Sequence, residues 1–114
     1  MPHFIIDCTE NILRLKTPEE IMETVFEAAT ASNLFDAEDI KIRINPYQHY
    51  TVGNQKKDFI HIFSYIMEGR TTAQKSSLSH AIVSSLNTIF PEVPVISINI
   101  KDFEKATYCN KSMV

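Results

Sequence analysis

The sequence is poor in the residues that several common classes of protein require. It contains two glycines, two cysteines and no tryptophan in 114 residues, and no apolar run approaches the roughly 18 residues of a membrane span. With Gly53 and Gly69 as its only glycines, it lacks the glycine-rich loops that bind dinucleotides and nucleoside triphosphates. Its formal charge of -3 at pH 7 argues against a nucleic-acid partner.

Cysteine and histidine are too sparse for the usual metal-binding motifs. Cys8 and Cys109 stand far apart, and the four histidines show neither HxxxH nor HExxH spacing. We therefore expect free thiols and no metal site. The first residues also lack the basic and apolar regions of an export signal, so we expect a cytoplasmic protein.

The remaining composition is that of an ordered globular chain, with 44% hydrophobic and 22% charged residues. We expect a single domain, 1–114, because a chain of this length has enough residues for one hydrophobic core. Four segments have the apolar or alternating pattern of strands: 3–8, 40–45, 59–67 and 95–100. The alternation in 40–45 places Lys41 and Arg43 on the same face of their strand.

Two helices are predicted between these strands. The first covers about 18–32, because Thr17 and Glu20 stand at the spacing of a capping box and Pro18 suits the first helical position. The second covers about 72–89, where Thr71 and Gln74 have the same spacing. Apolar residues recur at helical spacing through both segments.

The predicted order is strand, helix, strand, repeated once, with pseudo-repeats at about 2–52 and 58–104. Each repeat reads as a βαβ unit whose two strands are parallel. The predicted fold class is therefore α+β, a four-stranded sheet with two helices on one face. The other face carries a mixture of polar residues, and we expect other subunits to cover it: Lys41, Arg43, Asn45, His61, Ser97 and Asn99. A ferredoxin-like domain has the same element order.

Pro2 is the candidate catalytic residue. Removal of Met1 would leave a secondary amine at the start of a buried strand, and such an amine acts as a base when it is neutral near pH 7. A low-dielectric setting and neighbouring cations both lower the pKa of an ammonium group. Phe4, Phe59 and Phe63 could supply the first, and Lys41, Arg43 or Arg70 the second.

The opening segment 1–12, MPHFIIDCTENI, resembles the N-terminus of 5-carboxymethyl-2-hydroxymuconate isomerases in the tautomerase superfamily. The resemblance continues through Leu34-Phe35, 40–44, 58–61 and 68–71. It implies a tautomerase-like fold, a homotrimer and a cofactor-free enzyme of aromatic-compound catabolism. It also implies that Pro2 moves a proton on a small carboxylated enol substrate, and that Arg70 binds a substrate carboxylate in an anion-favouring turn at the start of the second helix.

The chain departs from this family pattern at Lys41, where the family has arginine, whereas Arg43 matches a family arginine. Lysine retains the charge but does not bind a carboxylate in the bidentate manner of arginine. Lys41 and Arg43 thus remain candidate substrate-binding residues, and the tail adds Lys111. Two alternatives stay open: a tautomerase of another enol acid, such as phenylpyruvate or another 2-hydroxydienoate, and a non-catalytic trimeric or ferredoxin-like binding module.

Overall fold

The computed structural model describes all residues from 1 to 114. Seven main elements follow one another: β1 (His3–Thr9), α1 (Ile12–Leu15), α2 (Pro18–Ala31), β2 (Lys41–Tyr47), β3 (Phe59–Met67), α3 (Thr72–Ile89) and β4 (Val95–Phe103). Short 3-10 turns lie at 37–39, 105–107 and 111–113. The predicted strands and helices are thus confirmed, whereas the single-turn helix α1 was not predicted.

The four strands form one mixed sheet in the order β2-β1-β3-β4. β1 pairs in parallel with β2, and β3 pairs in parallel with β4, as expected for two βαβ units. The central pair, β1 and β3, is antiparallel. Consequently the start of β1 lies beside the start of β2 and the end of β3, and this end of the sheet collects residues from all four strands.

The hydrophobic core lies between the sheet and the two long helices. Alternate residues of the central strands are fully buried, with Phe4 and Ile6 from β1 and Ile60 and Ile62 from β3. The facing stripes of α2 and α3 are buried against them: Ile21, Val25, Ala28, Ala29, Leu78, Ile82 and Leu86. Both helices therefore cover the same face of the sheet, as the sequence predicted.

Both helices begin with the predicted capping boxes. The Thr17 hydroxyl accepts from the backbone N–H of Glu20 at 3.1 Å, and the Thr71 hydroxyl accepts from that of Gln74 at 3.1 Å. These contacts satisfy backbone donors that have no partner inside the helix, which fixes where each helix begins. The helices end at Ala31 and Ile89.

The two outer strands are longer than their sequence patterns predicted. β2 continues through Pro46 to Tyr47, which is possible because a proline without an N–H is tolerated on an edge strand. β4 continues to Phe103, held by its parallel pairing with β3 as far as Met67. This extension matters for the site, because it brings the end of β4 beside the end of β3.

The sheet face opposite the helices, here called the open face, carries polar side chains that partly satisfy one another. His61 contacts Ser97 through Nδ1 and Asn99 through Nε2, both at 2.7 Å. The Asn45 amide donates to Asp7 at 3.3 Å. Aromatic side chains lie among them, and Phe63 is exposed.

The cysteines do not form a pair. Cys8 is fully buried in the core and Cys109 is exposed. Burial, with a smaller contribution from neighbouring Asp7, raises the pKa of the Cys8 thiol to about 11. Cys8 is therefore a protonated packing residue. None of the helices is long and apolar enough to cross a membrane.

Candidate active site

The candidate site lies at the end of the sheet where β1 begins. Pro2 is buried, and its carbonyl oxygen accepts a hydrogen bond from the backbone N–H of Lys41 at 3.0 Å. This bond ties the chain start to the first residue of β2. Two of the predicted site residues are therefore neighbours, although 39 positions separate them in the sequence.

The chain start and Arg70 line one cavity of about 240 Å³. The other lining residues come from the segment after α2: Asn33, Leu34, Phe35, Asp36 and Asp39. Asn33 has a positive φ of 60°, which lets the chain turn sharply after the helix. The cavity is thus formed where the α2–β2 connection passes beside the β3–α3 turn.

Arg70 is held in place by three contacts. Its guanidinium donates to the carbonyl oxygen of Met67 at 3.2 Å and to that of Leu34, and it stacks over the ring of Phe35 with 5.2 Å from the central carbon to the ring centroid. An arginine has five N–H donors, so these contacts leave others for a ligand. The side chain is fixed, and its charge is not used in an ion pair.

Lys41 lies on the other side of the chain start. Its ammonium nitrogen donates to the carbonyl oxygen of Asp39 at 2.9 Å and is 3.6 Å from the sulfur of Met1. The chain has two ion pairs, Glu10–Arg14 and Lys75–Asp102, and neither includes Lys41. Lys41 therefore places a positive charge, outside any ion pair, next to the first residues, where the carboxylates of Asp36 and Asp39 also act on the α-amine.

Arg43 points to the open face and contacts a different partner. Its guanidinium donates to Nδ1 of His3 at 3.0 Å. Because arginine only donates, His3 must accept with an unprotonated Nδ1 and carry its proton on Nε2. Burial, and then the charges of Arg43 and Lys41, lower the pKa of His3 and favour this neutral form. Arg43 belongs to the same end of the sheet but not to the lining of the cavity.

The electrostatic setting of the chain start disfavours a charged amine. Burial lowers the pKa of the Met1 α-amine from its ordinary value, and the positive charges of Lys41 and Arg70 lower it further. Asp39 and Asp36 act in the opposite direction, although the net effect is a lowered pKa. A group at this position is therefore easier to deprotonate than an exposed N-terminal amine.

Two further groups were predicted to contribute to substrate binding, the start of α3 and Lys111. The start of α3 does not offer all of its N–H groups to an anion, because the capping box uses those of Thr71 and Gln74. Lys111 is exposed in the last 3-10 turn, and its side chain makes no hydrogen bond or ion pair. The positive charges closest to the chain start are those of Lys41 and Arg70.

A larger cavity, of about 620 Å³, lies between α2 and α3. Its walls are small or apolar side chains with a few hydroxyl and amide groups, and no ionisable residue contributes to them. Proton transfer needs a titratable group within reach of the substrate. The larger cavity thus offers no acid–base group, whereas the smaller cavity at the chain start is lined by Met1, Asp36, Asp39 and Arg70.

A family model described as 5-carboxymethyl-2-hydroxymuconate isomerase matches residues 2–113. The chain belongs to this family. Membership supports an isomerase of the tautomerase type and agrees with the resemblance found in segment 1–12. A comparison with curated protein sequences gives no significant match.

Several solved structures have a similar fold. One is a 5-carboxymethyl-2-hydroxymuconate isomerase from Deinococcus radiodurans R1, with a TM-score of 0.83 and 21% identity over 96% of this chain and 88% of that chain. Another is a 5-carboxymethyl-2-hydroxymuconate delta-isomerase, with a TM-score of 0.82 and 15% identity over 97% and 87%. A fused 4-OT symmetric trimer has a TM-score of 0.81 and 12% identity over 98% and 95%. At these identities the likeness establishes the fold alone.

Sequence reasoning missed several residues around the site. His3 was not among the predicted site residues, yet it lies in register with Lys41 on one side and Tyr65 on the other. Phe35 and Asp39 were not selected, although they border the cavity. The match at Leu34-Phe35 was a local signal for Phe35, whereas the role of His3 depends on strand register.

Proposed function

We propose that this protein is a cofactor-free isomerase of carboxylated 2-hydroxymuconates in which the amine of Pro2, freed by removal of Met1, transfers the proton. The observation that carries the proposal is the meeting of the chain start, Arg70 and Lys41 at one end of the sheet. Family membership supports the reaction class. The positive charges of Lys41 and Arg70, which form no ion pair, support an anionic substrate.

The proposed reaction moves one proton within the substrate. The neutral amine of Pro2 accepts the proton of the 2-hydroxyl group, and the electrons of that O–H bond form the 2-oxo group while the double bonds shift along the diene. The resulting ammonium returns a proton to the distal carbon, which gives the conjugated oxo acid. No electrons are gained or lost overall, so the step needs no redox partner.

The cations have separate roles in this scheme. Arg70, immobilised by two carbonyl oxygens and the Phe35 ring, binds a substrate carboxylate through its remaining donors. Lys41 adds a point charge that stabilises the dienolate as it develops. Arg43 lies two residues after Lys41 on the same face of β2, and it binds a second carboxylate of an extended substrate.

A homotrimer is the assembly that we propose for the active enzyme. The open face is half-buried and mixed in polarity, with Ile5 and Phe63 among its polar residues. The fold is similar to that of a symmetric trimer. Sedimentation equilibrium of the purified protein tests this part of the proposal, and a monomer at micromolar concentration would contradict it.

The decisive variant is Pro2→Ala, assayed by the ultraviolet absorbance change on enol-to-ketone conversion of 2-hydroxymuconate and 5-carboxymethyl-2-hydroxymuconate. We expect kcat/KM to fall by at least about a hundredfold, the low end for loss of a positioned acid–base group. Intact mass should show that the active protein begins at Pro2.

Pro91→Ala is the matched control, since Pro91 is an exposed proline directly after the α3 C-cap. It should keep the wild-type rate. Equal rates for wild type and Pro2→Ala, or a fully active protein that retains Met1, would contradict the proposed mechanism and favour a non-catalytic binding module.

A further inference from the structure

Arg70 shares a small cavity with two carboxylates and pairs with neither of them. Asp36 and Asp39 line the same cavity of about 240 Å³ as Arg70. A guanidinium and a carboxylate attract each other strongly at short range, and their hydrogen bonds are among the strongest in proteins. Even so, neither ion pair of the chain includes Arg70. Other contacts must therefore hold the guanidinium away from these carboxylates.

The residues that hold Arg70 are Leu34 and Phe35, directly before Asp36 in the chain. The carbonyl oxygen of Leu34 accepts a hydrogen bond from the guanidinium. The central carbon of the guanidinium lies over the Phe35 ring, 5.2 Å from its centroid, which is the geometry of a cation–π contact. Two successive residues thus hold the same group, one through its N–H and the other through its face.

Phe35 is itself held by the hydrophobic core. Its ring meets that of Phe4 edge to face, with 6.2 Å between the centroids, and Phe4 is fully buried in β1. The backbone before Phe35 is also fixed, because the N–H of Leu34 donates to the Ser32 hydroxyl at 3.2 Å. Phe35 therefore links the strand that begins beside Pro2 to the arginine of the cavity, and its ring is in place before a ligand binds.

We propose that Phe35 is a positioning residue that keeps Arg70 out of an internal ion pair with Asp36 or Asp39. The guanidinium then stays available for the carboxylate of a ligand, and in this respect the inference rests on the proposed function. Without the ring, the guanidinium turns to one of the two carboxylates, and a substrate has to displace that carboxylate before it binds. Phe35 thus acts on the reaction through Arg70.

Phe35→Leu removes the ring and keeps an apolar side chain. We expect KM for 2-hydroxymuconate to rise about 5- to 20-fold, the scale of a partly buried cation–π contact. The dissociation constant of fumarate, a planar dicarboxylate without an enol, should rise by a similar factor in titration calorimetry. Phe35→Tyr, which keeps the ring, should leave both values at those of the wild type.

Removal of the competing carboxylates gives a sharper test. Asp36→Asn and Asp39→Asn, added together to Phe35→Leu, should restore the binding of fumarate. In the wild-type background the same two changes should strengthen it much less, because Arg70 is already free there. Glu38→Gln is the matched control, since Glu38 lies between the two aspartates in the chain but does not line the cavity. Added to Phe35→Leu, it should restore nothing.

A fluorinated ring at position 35 separates the charge distribution of the ring from its shape. Fluorine withdraws electron density from the ring face, so trifluorophenylalanine should weaken the contact with Arg70 at nearly constant volume. We expect KM for 2-hydroxymuconate and the dissociation constant of fumarate to rise in this protein as well. Should Phe35→Leu fail to fold, the fluorinated protein decides the question.

Tyr50→Leu is the matched control for the loss of a ring. Tyr50 has the other cation–π contact of the chain, with Lys56 at 4.8 Å, and it stacks on Phe59 at the far end of the sheet. This variant should change neither value. Unchanged fumarate binding in the fluorinated protein, or equal gains from the two asparagines in both backgrounds, would overturn the inference. Full activity of Pro2→Ala would instead reject the proposed function, and the fumarate titration, which needs no turnover, would still report on Arg70.

Discussion

The charged side chains at the two ends of the sheet have different kinds of hydrogen-bond partner. At the far end, where β1 finishes, Asp58 accepts from the Thr9 hydroxyl at 2.8 Å and from the Asn11 amide at 2.9 Å. At the end where β1 begins, Lys41 and Arg70 donate to backbone carbonyl oxygens. At the far end a carboxylate thus has two side-chain partners, whereas Lys41 and Arg70 form no ion pair, although the carboxylates of Asp36 and Asp39 line the neighbouring cavity.

This difference separates polar groups that hold the fold from those that are available to a ligand. Thr9 is fully buried, and a buried hydroxyl without a partner is destabilising, so the contact with Asp58 is structural. Backbone carbonyls orient Lys41 and Arg70 without neutralising them. In the proposed reaction, a substrate carboxylate pairs with these two cations.

The largest effect on activity that we expect is that of Arg70→Met. The variant removes the fixed cation, and kcat/KM for a carboxylated 2-hydroxymuconate should fall about 10- to 100-fold, the scale of one or two lost charged hydrogen bonds. The ultraviolet assay measures this loss. Because the same change frees the carbonyls of Leu34 and Met67, thermal unfolding should be recorded for the same sample.

Arg14→Met is the matched control at the far end of the sheet. Arg14 is exposed and forms a 3.8 Å pair with Glu10, a type of surface pair that contributes little. Its removal should change neither kcat/KM nor stability. A loss in Arg70→Met that is equally large for an enol without a carboxylate would contradict the assignment of Arg70 to carboxylate binding.

The next effect in size is in Asp58→Ala, which should lower the free energy of unfolding by about 2 kcal/mol, because the buried Thr9 hydroxyl and the Asn11 amide lose their acceptor. Chemical denaturation measures the change. The kcat/KM of the folded protein should remain at the wild-type value. A large catalytic loss at wild-type stability would show that the two ends of the sheet are not functionally separate.

The sequence predicted the features that depend on neighbouring residues. The capping boxes at Thr17 and Thr71 involve residues three apart, and the alternation that places Lys41 with Arg43 lies within one strand. Both are local patterns with a direct geometric consequence. The order of the elements followed from the same local signals.

Features that depend on register could not be predicted. The contact between His3 and Arg43 requires β1 and β2 to pair with one particular offset, across 40 positions of sequence. Likewise, β4 extends to Phe103 because it pairs with the end of β3, although Lys101-Asp102 has no strand pattern of its own. The contact between the rings of Phe103 and His3 exists only because of that extension.

The central claim is that the Pro2 amine is neutral near pH 7, and a titration of its ¹⁵N resonance in protein that begins at Pro2 tests it most directly. Burial and the charges of Lys41 and Arg70 lower the pKa of the Met1 α-amine, whereas Asp39 acts in the opposite direction, and we expect the same groups to act on the amine of Pro2. We expect an apparent pKa below the value of about 8 for an exposed N-terminal amine. Lys41→Met should raise it and Asp39→Asn should lower it. A pKa at or above 8 that neither substitution moves would contradict the account.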